Sequence, residues 1–416
     1  MDINTILLSV GLIIMFGFFA EFIFKKFGIP DLLLLVLLGF LLGPSVLGWA
    51  DPAEFTAFAP IFTAFALLFL LFEGALSIDL RSFAKGLLSG SSMAFFNFIV
   101  SSLTTFCILL LLNFDFLLAM LIGFSLGGVS SAFVMPLLKQ LKSKGETHTI
   151  LALESALSDV FTIVFALTIM QLIKINVFSF KSVLTQIISL FAVAGLIGIV
   201  GAGVWIFLDK QVFKEHRSFM STIAFLMLVY FITEFLGGNG AIASLFFGIV
   251  LSNSKQITSI IKGITTRNDK DKEVAIKGEL GLTALSNEEH LFYSQISFFL
   301  KTFFFVYIGM LLNVKNTRAL LIGGLLAVAI LLVRNASMII TRKMDKEDKS
   351  LINSVFARGL AAAAVIQIVV ENHIITDLAI VDMIYFFIVS TIILSSIRIF
   401  IHRIRFPKDS KAAAPE

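Results

Sequence analysis

Within the apolar run near the middle of the chain, Glu154-Ser155-Ala156-Leu157-Ser158-Asp159 places two carboxylates and two hydroxyls in six residues. If the run is helical, the i,i+4 spacing sets Ser155 and Asp159 on one face, so a hydroxyl and a carboxylate address one spot. Ser158 stands beside them. Glu154 lies five residues from Asp159, about 140° around the helix, and addresses a different neighbour, for which Arg358 is the expected partner. A hard monovalent cation takes several oxygen ligands, by the logic that governs calcium and magnesium sites. Asp159, the Ser155 hydroxyl, carbonyls freed around Val129, the Ser130 hydroxyl and Glu73 can offer them. Burial also favours the neutral form of a carboxylate, so Asp159 is poised to take a proton as a cation leaves. Competition of the two for one carboxylate is by itself an exchange mechanism; the plainer alternative is that these charges only join helices.

The elements that must position these groups follow from composition. Of 416 residues, 58% are hydrophobic and 14% charged, which leaves too little polar surface to cover a water-soluble globule. Lipid is the expected solvent. A bilayer core of roughly 30 Å takes about 20 apolar residues per helix, and thirteen such stretches start near Thr5, Pro30, Phe55, Lys85, Phe116, Thr147, Ser182, Ser218, Asn239, Tyr293, Leu320, Ile352 and Ile375. A membrane barrel would instead show short alternating strands. The first stretch, Thr5 to Phe24, has no basic start and no small-residue cleavage site, so it reads as a retained helix. Cys107 is the single cysteine, which excludes an internal disulfide and a cysteine-based metal site. His148, His216, His290, His373 and His402 fall at span ends or loops, so no histidine metal centre and no cofactor are expected.

Basic residues stay on the cytoplasmic side during insertion. With the N-terminus outside, 24 of the 32 Lys and Arg residues fall in inward connections, against Lys174, Lys181, Lys315 and Arg318 in outward ones. The expectation is a multi-pass protein of the inner (cell) membrane, N-terminus out and C-terminus in. It is a single transmembrane unit over 1–405 with a short cytoplasmic tail, 406–416. The one long connection, Ser254 to Phe292, reads as a solvated linker.

Two spans are interrupted. The fifth carries Gly123, Gly127, Gly128, Val129, Ser130, Ser131 and Pro136, and the twelfth carries Arg358-Gly359 followed by four alanines. Breaks in corresponding positions of two halves point to an inverted-repeat transporter with its site between them, although glycine also permits simple close packing. An ionisable group deep in a span needs a partner, water or a function. Glu73, Glu154, Asp159, Glu234, Lys301, Arg358 and Asp382 meet that description, whereas Arg334 and Arg398 lie toward cytoplasmic ends and can snorkel. Glu234 fits a structural role near the outer end of its span, and Asp382 a polar contact between helices.

Several motifs together resemble the monovalent cation:proton antiporter superfamily, most nearly its NhaP-like sodium/proton exchanger branch, over nearly the whole chain. They are Gly28-Ile29-Pro30 with Gly39 and Leu42-Gly43-Pro44-Ser45; Phe72-Glu73-Gly74-Ala75-Leu76; the run from Glu234 through Ala243 to Gly248 and Asn253; the aromatic run ending at Gly309 after Lys301; and Ala357-Arg358-Gly359. The resemblance implies the all-α NhaA-like antiporter fold, with thirteen transmembrane helices and two discontinuous crossing helices. It implies a homodimer whose core domain, about 85–181 and 318–405, moves against a dimerisation domain, about 1–84 and 182–317, including the connection 254–292. It further implies that Asp159 binds Na⁺ (or K⁺), helped by Ser155, Ser158, Ser130, the Val129 carbonyl and Glu73. Glu154 is implied to pair with Arg358, and Lys301 to be an auxiliary basic residue.

The chain departs from the branch at two places. Ser158-Asp159 stands where Asn-Asp or Asp-Asp is usual, and Val129-Ser130-Ser131 where Thr-Asp-Pro is usual. The paired serines look more like the potassium/proton branch, while Arg358-Gly359 favours the sodium branch. With one carboxylate at the pair position, electroneutral exchange is implied. The expectation is thus an antiporter of Na⁺ or Li⁺ against H⁺, with K⁺/H⁺ exchange as the alternative, and not an enzyme. A channel would need a filter sequence, and an intramembrane hydrolase a nucleophile with its base; neither is visible.

Overall fold

The structure, a computed structural model, describes residues 3–27, 30–50, 52, 59–76, 80–141, 146–175, 180–212, 219–257, 286–342 and 344–406. Most of the connection 254–292 and the tail beyond 406 lie outside them. Among the described residues there is no strand, as expected where backbone groups must be satisfied within each segment. In chain order the helices are α1 (Ile3–Phe27), α2 (Asp31–Leu42), α3 (Ala59–Leu76), α4 (Leu80–Leu111), α5 (Phe116–Ser125), α6 (Ser131–Gln140), α7 (Glu146–Ile175) and α8 (Phe180–Gln211). There follow α9 (Phe219–Phe235), α10 (Gly240–Ser252), α11 (Asn287–Met310), α12 (Thr317–Val333), a 3₁₀ segment Arg334–Ile339, α13 (Lys346–Ser354), α14 (Leu360–Glu371) and α15 (Leu378–Arg405). Among the described residues, seven are long and apolar enough to cross a bilayer, and six shorter apolar helices run 10–17 residues. Large apolar side chains such as Leu111, Phe235 and Leu321 face outward at 75% exposure or more, an exterior suited to lipid.

Short polar residues set several helix starts. The Asp115 carboxylate accepts from the Leu117 and Leu118 amides at 3.1 and 3.3 Å. The Asn239 side chain caps α10 through the Ile242 amide at 3.0 Å, and Asn316 caps α12 through Ala319 at 3.2 Å. Each cap satisfies a donor that has no partner within its own helix.

The chain forms two compact units. The second, residues 58–87 and 167–301, is centred on α10, whose side chains are buried over most of its length. Close approach explains its small residues: a Cβ on Gly248 would lie 2.8 Å from the Phe72 carbonyl oxygen of α3, and Gly198 of α8 abuts the Ala243 carbonyl. The Glu234 carboxylate accepts from the Gly240 amide at 2.7 Å, which is the structural role expected of it.

The first unit comprises 1–57, 88–166 and 302–416. Here the fifth and twelfth apolar stretches are each split. Leu126–Ser130 separates α5 from α6, and Val355–Gly359 separates α13 from α14. The Ser130 amide donates to the Ala357 carbonyl at 2.9 Å, so the two breaks are joined backbone to backbone. Hydroxyls of α15 hold the second break: Thr391 accepts from the Arg358 amide at 3.0 Å, and Ser395 donates to the Ser354 carbonyl at 2.6 Å. These bonds replace those that each helix gives up where it stops.

Candidate functional site

Asp159 lies on α7 with 5% of its surface exposed. Its Oδ2 accepts from the Ser131 amide at 3.2 Å and from the Ser131 hydroxyl at 2.5 Å. Ser131 is the first residue of α6, so the carboxylate is held at the positive pole of a half-helix. Among the described residues no donor reaches Oδ1. The Ser158 hydroxyl, one residue earlier, accepts from the Val129 amide at 2.9 Å. Its own proton has two acceptors in range, the carbonyls of Val129 at 3.1 Å and Ser155 at 3.2 Å. Ser158 thereby fastens α7 to the first break.

Buried hydroxyls complete the surroundings. Ser155 is fully buried and donates to the Ala152 carbonyl at 3.1 Å. The Ser130 and Thr162 hydroxyls are 2% and 1% exposed, and neither has a partner among the described residues. A Cβ on Gly359 would strike the Ser130 side chain, and one on Gly128 would strike the Thr162 hydroxyl while lying 2.7 Å from the Ser158 carbonyl oxygen. Gly128 therefore lets the first break press against oxygen atoms of α7, and Gly359 lets the two breaks approach each other. A buried hydroxyl without a partner is costly, and a cation that accepts its lone pair removes that cost.

Glu154 departs from expectation. Its carboxylate is clasped by Arg334, with Nη2 on Oε2 at 2.8 Å and Nη1 on Oε1, and it accepts a further bond from Asn97 at 2.8 Å. Arg334 also donates from Nε and Nη2 to the Ile352 carbonyl at 3.1 and 2.9 Å, in the last turn of α13. The expected partner, Arg358, instead donates from Nη2 to the Ser101 hydroxyl at 2.9 Å, and its Nε and Nη1 meet no acceptor among the described residues. The reason is local geometry. The 3₁₀ segment begins at Arg334 and turns that residue inward, to 4% exposure, where a straight helix end would have let it reach water. Multiple charge-assisted bonds to Glu154 and a helix C-terminus then outweigh hydration.

The first unit thus brings together Asp159, Ser155, Ser158, Ser130, Val129, Glu154 and Arg358. Glu73 is half-buried on α3 in the second unit, and Lys301 is half-buried on α11 as the last residue of that unit. Asp382 accepts from Asn313 at 3.2 Å and Asn316 at 3.5 Å, the polar helix contact expected of it. Ser131, Thr162 and Arg334 were not singled out as site residues. Ser131 stood within the recognised break, but only the fold turns its hydroxyl onto Asp159.

Two half-helix pairs crossing beside a buried carboxylate define an all-helical, multi-pass membrane protein of the NhaA-like antiporter fold. The transmembrane sodium/hydrogen exchanger family model matches residues 11–402, and the chain belongs to that family. It is similar to the K(+)/H(+) antiporter NhaP of Alkalimonas amylolytica, 22% identical over 260 residues, covering 61% of this chain and 45% of that protein. It is similar also to the K(+)/H(+) antiporter NhaP2 of Shewanella oneidensis, 24% identical over 251 residues, covering 58% and 43%. The match therefore spans less than half the length of these curated relatives. Among solved structures, the sodium proton antiporter MjNhaP1 from Methanocaldococcus jannaschii at pH 8 superposes with a TM-score of 0.73 at 20% identity, covering 95% of this chain and 96% of that one.

Proposed function

We propose that this chain is a secondary antiporter exchanging Na⁺ or Li⁺ for H⁺, both competing for Asp159. The observation that carries the reading is the Asp159 carboxylate, buried at the N-terminus of α6 beside hydroxyls without partners. Membership of the sodium/hydrogen exchanger family supports it. Asp159 neutralised by a cation and Asp159 neutralised by a proton leave the same net charge, so one carboxylate supports one-for-one, electroneutral exchange. Ser130, Ser155 and the Val129 carbonyl supply further oxygens, Ser158 keeps the break in register, and Lys301 is an auxiliary basic residue. Transport proceeds by a core domain moving against a dimerisation domain within a homodimer. The chain lies in the inner membrane with its N-terminus outside, and it makes or breaks no covalent bond of a substrate.

A second reading, K⁺/H⁺ exchange at the same site, is favoured by the paired serines Ser130-Ser131 and by the names of the two curated relatives. Everted vesicles loaded with a pH-sensitive dye and challenged with Na⁺, Li⁺ and K⁺ in parallel test both. Cation-triggered dequenching is the expected result and identifies the ion. Absence of dequenching with all three contradicts the exchanger reading.

A further inference from the structure

α14 starts at the second break, where Gly359 abuts Ser130, and runs outward for 12 residues to Glu371, about 17 Å away. Its sequence, Leu-Ala-Ala-Ala-Ala-Val-Ile-Gln-Ile-Val-Val-Glu, contains only two polar side chains, Gln367 and Glu371. Their i,i+4 spacing puts them on one face. The Tyr385 hydroxyl of α15, itself 2% exposed, donates to the Gln367 Oε1 at 3.3 Å. The Gln367 side-chain amide is left to donate toward the Glu371 carboxylate, one turn further along the same face. Tyr307 of α11 lies within range of the charge of the same carboxylate. All of these lie in the first unit.

The donors run in one direction, from Tyr385 through Gln367, and end on an anion that they do not satisfy. Glu371 Oε1 is shielded from solvent and has no partner among the described residues. The carboxylate also stands in the last turn of α14, beside the negative pole of the helix, with no basic residue in that turn. Fixed dipoles and formal charge are therefore of one sign. A positive ion of small size fits it: Glu371 Oε1, the Tyr385 oxygen and water are ligands of the hard type that monovalent cations take.

We propose that Glu371, with Gln367, Tyr385 and Tyr307, forms a second cation site. It holds a partly hydrated monovalent cation at the mouth where α14 ends, the outer mouth in the topology given above. Its role as a loading site for Asp159 rests on the antiporter reading, but its ability to bind a cation does not.

Purified Asp159→Asn protein, with the deep site disabled, is titrated with NaCl, KCl and choline chloride while Tm is followed. Tm is expected to rise with Na⁺ or K⁺ and not with choline, and the rise is expected to vanish on adding Glu371→Gln and to shrink on adding Tyr385→Phe. No rise in the Asp159→Asn protein, or a rise that survives Glu371→Gln, overturns the proposal whether or not the chain transports. In sided vesicle assays with Asp159 intact, Glu371→Gln is expected to raise the cation KM about fivefold, the effect of one half-exposed charge contact, at the outer face alone. Equal KM changes at both faces, or none, overturn the loading role, while dequenching by the unsubstituted protein reports separately on the antiporter reading.

Discussion

Ser131 gives both its amide and its hydroxyl to a single carboxylate oxygen of Asp159. The first residue of one half-helix thus fixes the orientation of the acid on α7, and in the proposed exchange Oδ1 is the oxygen left for an incoming ion. Replacing Ser131 with Ala removes the hydroxyl bond and keeps the amide bond. Loss of one hydrogen bond to a charged group, roughly 1.5 kcal/mol or more, is expected to raise the cation KM about tenfold, while Ser131→Thr stays near the unsubstituted protein. Initial rates of dequenching against cation concentration measure this, and an unchanged KM in Ser131→Ala counts against the orienting role.

The clasp of Arg334 on Glu154 predicts a strong energetic coupling. Glu154→Gln leaves a guanidinium buried without its counter-charge, at a cost of roughly 3–5 kcal/mol, so the yield and Tm of detergent-purified protein fall. Glu154→Gln combined with Arg334→Met is expected to recover part of that loss. The corresponding pair with Arg358 should give a smaller coupling, because Arg358 bonds Ser101 and meets Glu154 only through its charge. A larger coupling for Arg358 than for Arg334 would restore the pairing expected from sequence.

Gly128 has no room for a methyl group, since its Cβ would meet the Thr162 hydroxyl and lie 2.7 Å from the Ser158 carbonyl oxygen. The carbonyl belongs to the backbone of α7 and cannot step aside. Gly128→Ala is expected to lower stability by roughly 1–3 kcal/mol, the cost of overpacking, and to slow exchange by prising the break from α7. Gly74→Ala, at a position with open space around the added carbon, is the control, and equal melting temperatures for the two would refute the tight contact.

What the sequence makes legible is the part governed by local periodicity and composition. The apolar runs give the helices, the glycines at 127, 128 and 359 give the breaks, and the Ser155 to Asp159 spacing gives one face of α7. The Glu154 partner was not legible, because Arg334 lies toward a cytoplasmic end, where it reads as a residue able to snorkel, and both arginines are remote from Glu154 along the chain. The choice turns on a 3₁₀ segment whose inward turn no periodicity announces. The hydroxyl of Ser131 escaped for the same reason: its target lies 28 residues away, and only the crossing of the half-helices brings the two together.

The most direct test is proton flux through Asp159→Asn. The side chain keeps its shape and can still accept from Ser131, so the protein is expected to fold and reach the membrane in normal amounts. Everted vesicles containing it are expected to show no dequenching when Na⁺, Li⁺ or K⁺ is added, since an amide neither holds the cation as a carboxylate does nor takes up the proton. Cation-triggered dequenching at the rate of the unsubstituted protein would contradict the claim that cation and proton compete for this one group.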